Sequence, residues 1–177
     1  MVRIRPEEPR DRDAALEVQR LAFGSEEESD IVVAVRDEEG SFGLVADDAG
    51  EIVGHVQFSR GWIGASAVVA LGPVGVRPDR QGRGFGSELI RAGLDEARRR
   101  GEVAVMLLGS PAFYPRFGFV AGRTLGLSNP FTGVDAGGFE IAEGDFMVAR
   151  LAEVELAGAV RWHRAFGEPV AGPPSGA

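Results

Sequence analysis

The stretch Gly72-Pro-Val-Gly-Val76-Arg-Pro-Asp-Arg-Gln81-Gly-Arg-Gly84-Phe-Gly86, followed by a helical pattern to Arg100, decides how this chain is read. Residues up to Val76 predict a strand, Arg77 to Gln81 a charged loop, and Gly82 to Gly86 a glycine-rich turn. Glycines at 82, 84 and 86 can reach backbone angles with φ > 0 and carry no Cβ, so successive amide N–H groups can converge on one bound group. A helix beginning there adds its unpaired first-turn amides and the positive end of its dipole, which together favour a phosphate or pyrophosphate. Arg77, Arg80 and Arg83 surround the turn with permanently charged planar donors. The helix is amphipathic, with Leu89, Ile90, Leu94 and Ala97 on one face. Arg98 to Arg100 oppose its negative end and Gly101 stops it. The apolar run Val103 to Leu108 then completes a strand-helix-strand crossover.

Spacing separates the owners of such a turn. A Walker loop requires a Lys beside its last glycine, and the chain contains no Lys. A dinucleotide fingerprint places its glycines directly after the strand, whereas here five loop residues follow Val76 and the third glycine position is Ser87. The segment Gln81-Gly-Arg-Gly84-Phe-Gly86 instead resembles the Q/R-x-x-G-x-G/A signature of the GNAT superfamily of N-acetyltransferases. Further on, Ser110-Pro-Ala-Phe-Tyr114-Pro-Arg-Phe-Gly118-Phe119 is similar to the family's short Tyr-bearing helix after the fifth strand. The resemblance runs from Val2 to Arg150 and more loosely beyond. It implies the α/β fold of acyl-CoA N-acyltransferases: a mixed, mostly antiparallel sheet splayed between its fourth and fifth strands, with helices on both faces. It also implies acetyl-CoA as co-substrate, bound by Val74, Gly75 and Val76 along the strand and by Gln81, Gly82, Arg83, Gly84, Phe85, Gly86 and Ser87 at the turn. Val74 and Val76 would offer backbone groups to the pantetheine amides.

Composition bounds the rest. With 177 residues and 44% hydrophobic content, the chain can form one core, so 1–168 reads as one domain and 169–177 as a tail. No apolar run reaches the length of a membrane span, and the N-terminus lacks a signal-peptide pattern, so a cytoplasmic protein without membrane partners is expected. The absence of Cys excludes thiolate metal sites and a cysteine nucleophile, and no metal is expected. The net charge of −8, from 27 acidic and 19 basic residues, disfavours nucleic acid and favours amine-bearing partners.

Along the chain, Val2 to Arg5 alternates as a strand, and a helix is expected from Asp11 to Phe23. Ser25-Glu-Glu-Glu28 fits a capping box opening a second helix to Arg36. Ser41 to Asp47 and Glu51 to Phe58 read as a hairpin around Asp48-Ala-Gly50, with Trp62 in the next connection. Gly72, Pro73 and Gly75 predict a bulge or splay in the strand from Ala67 to Val76. Leu127 to Phe139, including Val134, is a candidate roof for an acceptor site. Residues 145 to 150 predict another strand, and Glu153 to Val160 a short element.

Acetyl transfer from a thioester to an amine needs a neutral amine, a polarised carbonyl and a proton for the thiolate. Tyr114, the chain's only tyrosine, stands where many GNAT enzymes place a general acid. Backbone amides near Val74 to Val76 are candidate oxyanion donors. Without Cys, direct attack in a ternary complex is the simplest route. For the base, family location leaves Glu26, Glu27, Glu28 and His55 open, with Glu28 and His55 foremost; His163 lies where the match is looser. The acceptor is read as a small amine, an aminoglycoside-like compound or a peptide amine. GNAT proteins often pair, so a homodimer is an expectation. A non-catalytic acyl-CoA-binding module and a nucleotide-binding protein are the rival readings.

Overall fold

The computed structural model describes residues 1–133, 135–136 and 139–167. Val134 and the expected tail 169–177 lie outside the described residues.

The chain builds one mixed sheet from β1 (Val2–Pro6), β2 (Phe42–Asp48), β3 (Glu51–Ile63), β4 (Ser66–Val76), β5 (Ala104–Leu108), β6 (Val120–Ala121), β9 (Phe146–Arg150) and β10 (Val160–Arg161). A separate two-stranded ribbon joins β7 (Asp135–Ala136) to β8 (Phe139–Glu140). The order is β1-β2-β3-β4-β5-β9-β6, with β10 added to the far end of β3. Every pairing in the sheet is antiparallel except β4 with β5. The helices are α1 (Arg12–Phe23), α2 (Glu27–Val35) and α3 (Phe85–Arg99). Among the described residues, no helix is long and apolar enough to cross a membrane.

Alternation along the strands explains the layers. Leu44, Val56, Phe58, Val69, Val105 and Leu107 point to one face and bury against Leu89, Ile90, Leu94 and Ala97 of α3. Gly93 is where the Phe58 ring presses on α3, leaving no room for a Cβ. On the opposite face, Ala15 and Val18 of α1 cover Val45 and Ile52. The start of α1 is pinned by Arg5, which donates to both oxygens of the buried Asp11 (2.6 and 2.9 Å) and to Asp47 (2.9 Å). These bonds hold the Asp11 carboxyl below its ordinary range, the Arg5 contact being the main cause.

Several expectations are refined. The hairpin turn forms at Ala49 and Gly50, both at positive φ, with Gly50 N–H donating to Asp47 Oδ1 (2.7 Å). Trp62 lies inside β3 rather than in a connection, because β3 runs on to Ile63 and pairs with both β4 and β10. The capping box at Ser25 does not form: Ser25 Oγ donates to Glu28 Oε2 (2.6 Å), and Glu26 holds the cap position of α2. The short element expected over Glu153 to Val160 does not form as such: 153–159 run without helix or strand, and the two-residue β10 begins at Val160.

Candidate active site at the splay

β4 and β5 are paired at only two positions, Val69 with Val105 and Ala70 with Met106. Past them the strands part. On its other side β4 carries the expected irregularity: the register with β3 slips between Val56↔Val74 and Phe58↔Leu71, setting Gly72 and Pro73 opposite Gln57. The phase of the ladder then fixes which backbone groups are free. Arg77 N–H donates to Val53 O (2.9 Å), a hydrogen-bonded position, so by antiparallel alternation Gly75 is bonded to His55. Val74 and Val76 therefore turn their N–H and C=O groups away from β3, toward the opening. Gln81 Nε2 donates to Val76 O (3.0 Å) and ties the loop back onto this edge.

At the head of the opening lies the glycine turn. Gly82 and Gly84 take φ of 74° and 87°, and no atom lies within 4 Å of where a Cβ would be at either position. Gly86 does not need positive φ; it is already in the first turn of α3. Gly84 caps α3 without a side chain, and the first backbone bond of the helix runs from Glu88 N–H to Gly84 O (3.0 Å). The backbone amides from Gly82 to Ser87 thus make no hydrogen bond to the protein among the described residues. The three expected arginines divide. Arg77 is engaged by Glu51 and Asp79, and Arg80 by Asp48 (2.8 Å) and Glu51 (3.0 Å), so both brace the loop against the β2–β3 hairpin. Arg83 makes no ion pair among the described residues and stays exposed beside the free amides.

Lower in the splay is a cavity of about 390 Å³. Phe23 and Ile31 line it from the helical side, Leu71, Pro73 and Val74 from β4, and Leu108 from β5. Trp162 and Phe166 close it. Among the described residues, two side chains with free polar atoms face it, Glu28 and Tyr114. The Tyr114 ring sits edge-on to Phe113 (5.1 Å) and Phe119 (5.8 Å) and rests on the backbone of Gly109. Burial raises the Tyr114 hydroxyl above its ordinary pKa of 10, so the phenol keeps its proton through the neutral and mildly alkaline range.

The other base candidates are not brought there. His55 is wholly buried under α1, its Nδ1 beside Gln19 Nε2 (2.8 Å) and its Nε2 3.5 Å from Glu7. Its place on the α1 side of β3 follows from strand alternation. Glu26 pairs with Arg20 (2.7 Å), and Glu27 is exposed at the start of α2. His163 caps a short 3-10 turn, Nδ1 accepting from Ala165 N–H (3.1 Å). In the expected roof, Leu127 and Phe131 are buried, and Phe131 backs Trp162 (6.3 Å between rings) instead of lining the cavity. Trp162 and Phe166 were missed from sequence; two aromatics four residues apart, directly after the short strand β10, were the available signal.

Comparison with known proteins gives the following. A model described as "Acetyltransferase (GNAT) family" matches residues 6–119. The uncharacterized N-acetyltransferase YhbS of Escherichia coli K12 is 33% identical over 171 residues, covering 92% of this chain and 97% of that protein. A second relative from the same strain, the uncharacterized N-acetyltransferase YjhQ, is 36% identical over 110 residues, 58% of this chain and 61% of the relative's length. The crystal structure of E. coli YhbS in complex with CoA matches with a TM-score of 0.81 at 31% identity, over 94% of this chain and 92% of that one. A GNAT family acetyltransferase from Brucella melitensis in complex with acetyl-CoA gives a TM-score of 0.76 at 32% identity, over 94% and 98%.

Proposed function

Because the chain belongs to the GNAT family of acetyltransferases, we propose that it moves the acetyl group of acetyl-CoA to a primary amine by direct attack within a ternary complex. The observation that carries this reading is the continuity of free backbone: unpaired amides from Gly82 to Ser87 lead to the open edge at Val76 N–H and Val74, and from there to a cavity lined by the Tyr114 phenol and the Glu28 carboxylate. The free amides suit a diphosphate, with Arg83 adding charge at the rim. The open edge of β4 suits an extended chain bearing amides. Both features match the coenzyme seen with the two relatives, CoA with YhbS and acetyl-CoA with the Brucella protein.

Acetyl-CoA supplies an acyl thioester whose sulfur leaves once protonated. Val74 N–H, turned to the opening, is placed to donate to the carbonyl oxygen as charge grows on it. Glu28 orients the acceptor's ammonium and takes its surplus proton, which passes to solvent. The amine nitrogen forms its bond to the acyl carbon as the carbon–sulfur bond breaks; Tyr114 gives its proton to the sulfur, and the second proton shed by the nitrogen as the amide forms returns through solvent to the Tyr114 oxygen. Net release is the amide, the free thiol and one proton, so the balance closes without a redox partner.

The test is calorimetric binding of acetyl-CoA alongside amine-dependent thiol release. A side chain at Gly84 is disfavoured at φ 87° by about 1–2 kcal/mol yet meets no packed atom. In Gly84→Val the fold should hold while the free turn relaxes out of the left-handed region; restoring it on binding should lower acetyl-CoA affinity by about tenfold or more, which is that strain expressed as an equilibrium. Unchanged affinity in the variant would overturn the placement of the diphosphate.

A further inference from the structure

Resting on the acetyltransferase reading, we infer that the acceptor is a small monoamine with an apolar body, such as an arylalkylamine, rather than a polyamine, an amino sugar or a charged peptide. The walls of the cavity carry the inference. Phe23, Ile31, Leu71, Pro73, Trp162 and Phe166 present carbon surface, and the one hetero-atom on the aromatic wall is already used: Trp162 Nε1–H donates to Asn129 Oδ1 (2.9 Å). The indole is fixed among Phe131, Phe146 and Phe166, with ring centroids 5.7 to 6.3 Å apart, so it is a rigid face rather than an adaptable one.

Against these walls stands one charge. Among the described residues Glu28 is the only acidic side chain lining the cavity, it is half-buried, and it has no Arg partner; its bond is to Ser25 Oγ. Its neighbour Glu26 is neutralised by Arg20, and Glu27, also without an ion pair among the described residues, is exposed to solvent; Glu28 alone of the three faces the cavity. A carboxylate on an apolar wall is matched by one ammonium. A second ammonium, as in a polyamine or aminoglycoside, would be desolvated against leucine, isoleucine and tryptophan with nothing to pair it. Size agrees. An apolar cavity of about 150 Å³ holds a benzene, so 390 Å³ takes the acyl thioester end plus one ring with a short aminoalkyl chain.

The experiment measures thiol release from acetyl-CoA with 2-phenylethylamine, hexylamine, spermidine, glucosamine and a lysine-containing peptide, with calorimetry of acetyl-CoA binding run on the same samples. The apolar amines should exceed spermidine and glucosamine in kcat/KM by about 100-fold. Trp162→Ala should cost 2-phenylethylamine about 30-fold in kcat/KM while acetyl-CoA binding holds. Should that variant fail to fold, Glu28→Gln gives the second arm: KM for 2-phenylethylamine rises about tenfold or more, with acetyl-CoA affinity unchanged. Preference for spermidine, glucosamine or the peptide, or no transfer to either apolar amine while acetyl-CoA still binds, refutes the inference and leaves the coenzyme reading standing. Failure to bind acetyl-CoA sinks both.

Discussion

Replacing Tyr114 by Phe removes one oxygen and little else. The ring keeps its edge contacts with Phe113 and Phe119, its tilted contact with Phe117 and its seat on Gly109, and the hydroxyl has no hydrogen-bond partner among the described residues. Stability should therefore stay within about 0.5 kcal/mol of the parent in a denaturant titration. The rate should not. General acid catalysis contributes about 10²- to 10⁴-fold, and at 1.36 kcal/mol per tenfold this is about 2.7 to 5.4 kcal/mol of barrier. The loss belongs in kcat, with KM for acetyl-CoA nearly unchanged, because a proton given to the departing sulfur matters only as the carbon–sulfur bond breaks. The pH profile adds a second readout. Burial raises the phenol above 10, and a raised acid stays protonated until the pH climbs through its folded value, so the parent should show no alkaline decline from this group below pH 10. Thiol release by both proteins between pH 6 and 10, on saturating acetyl-CoA, measures all of this. A variant within twofold of the parent across that range would refute the assignment of Tyr114 as the acid.

Two further perturbations probe the support of the site. Gly109→Ala places a Cβ 2.8 Å from Tyr114 Cδ2 and nearer still to Cε2, so the ring must move; kcat should fall at least tenfold while circular dichroism and acetyl-CoA affinity are retained, as expected when a catalytic group is displaced by about an ångström. Asp11→Asn breaks the buried pair with Arg5 and should cost about 3 kcal/mol at neutral pH, near 9 °C in melting temperature for a chain of this size. Because the Asp11 carboxyl is held below its ordinary value, its contribution is present above the unfolded value of about 3.9 and disappears as the pH falls through the folded one. The gap between parent and variant should accordingly narrow below pH 4, and a constant gap in melting temperature from pH 7 to pH 3 would contradict the electrostatic origin.

The parts of the site made by neighbours in sequence were legible in advance. The turn, the helix after it and the crossover to β5 depend on glycine geometry and helical periodicity within one stretch of 37 residues, from Gly72 to Leu108. What could not be read was pairing across the chain. Arg77 and Arg80 looked available because their partners, Asp48 and Glu51, lie some thirty residues earlier and meet them only once the β2–β3 hairpin is folded. His55 looked like a base on a strand; the side of β3 it faces, under α1, is set by register and not by residue type. The aromatic wall escaped notice because Trp162 reaches the cavity through β10, a two-residue strand pairing with β3 a hundred positions back.

The two-rung junction between β4 and β5 also has a mechanical meaning. It makes the sheet two panels joined along a short seam, one carrying β1 to β4 and the other β5, β9 and β6. Below that seam no backbone bond among the described residues joins β4 to β5, so an amide-bearing ligand lodged there would act as a stitch, and the panels would open less readily the more of it is bound. Amide hydrogen exchange at Val74 and Val76 should then report ligand occupancy as directly as any assay of turnover.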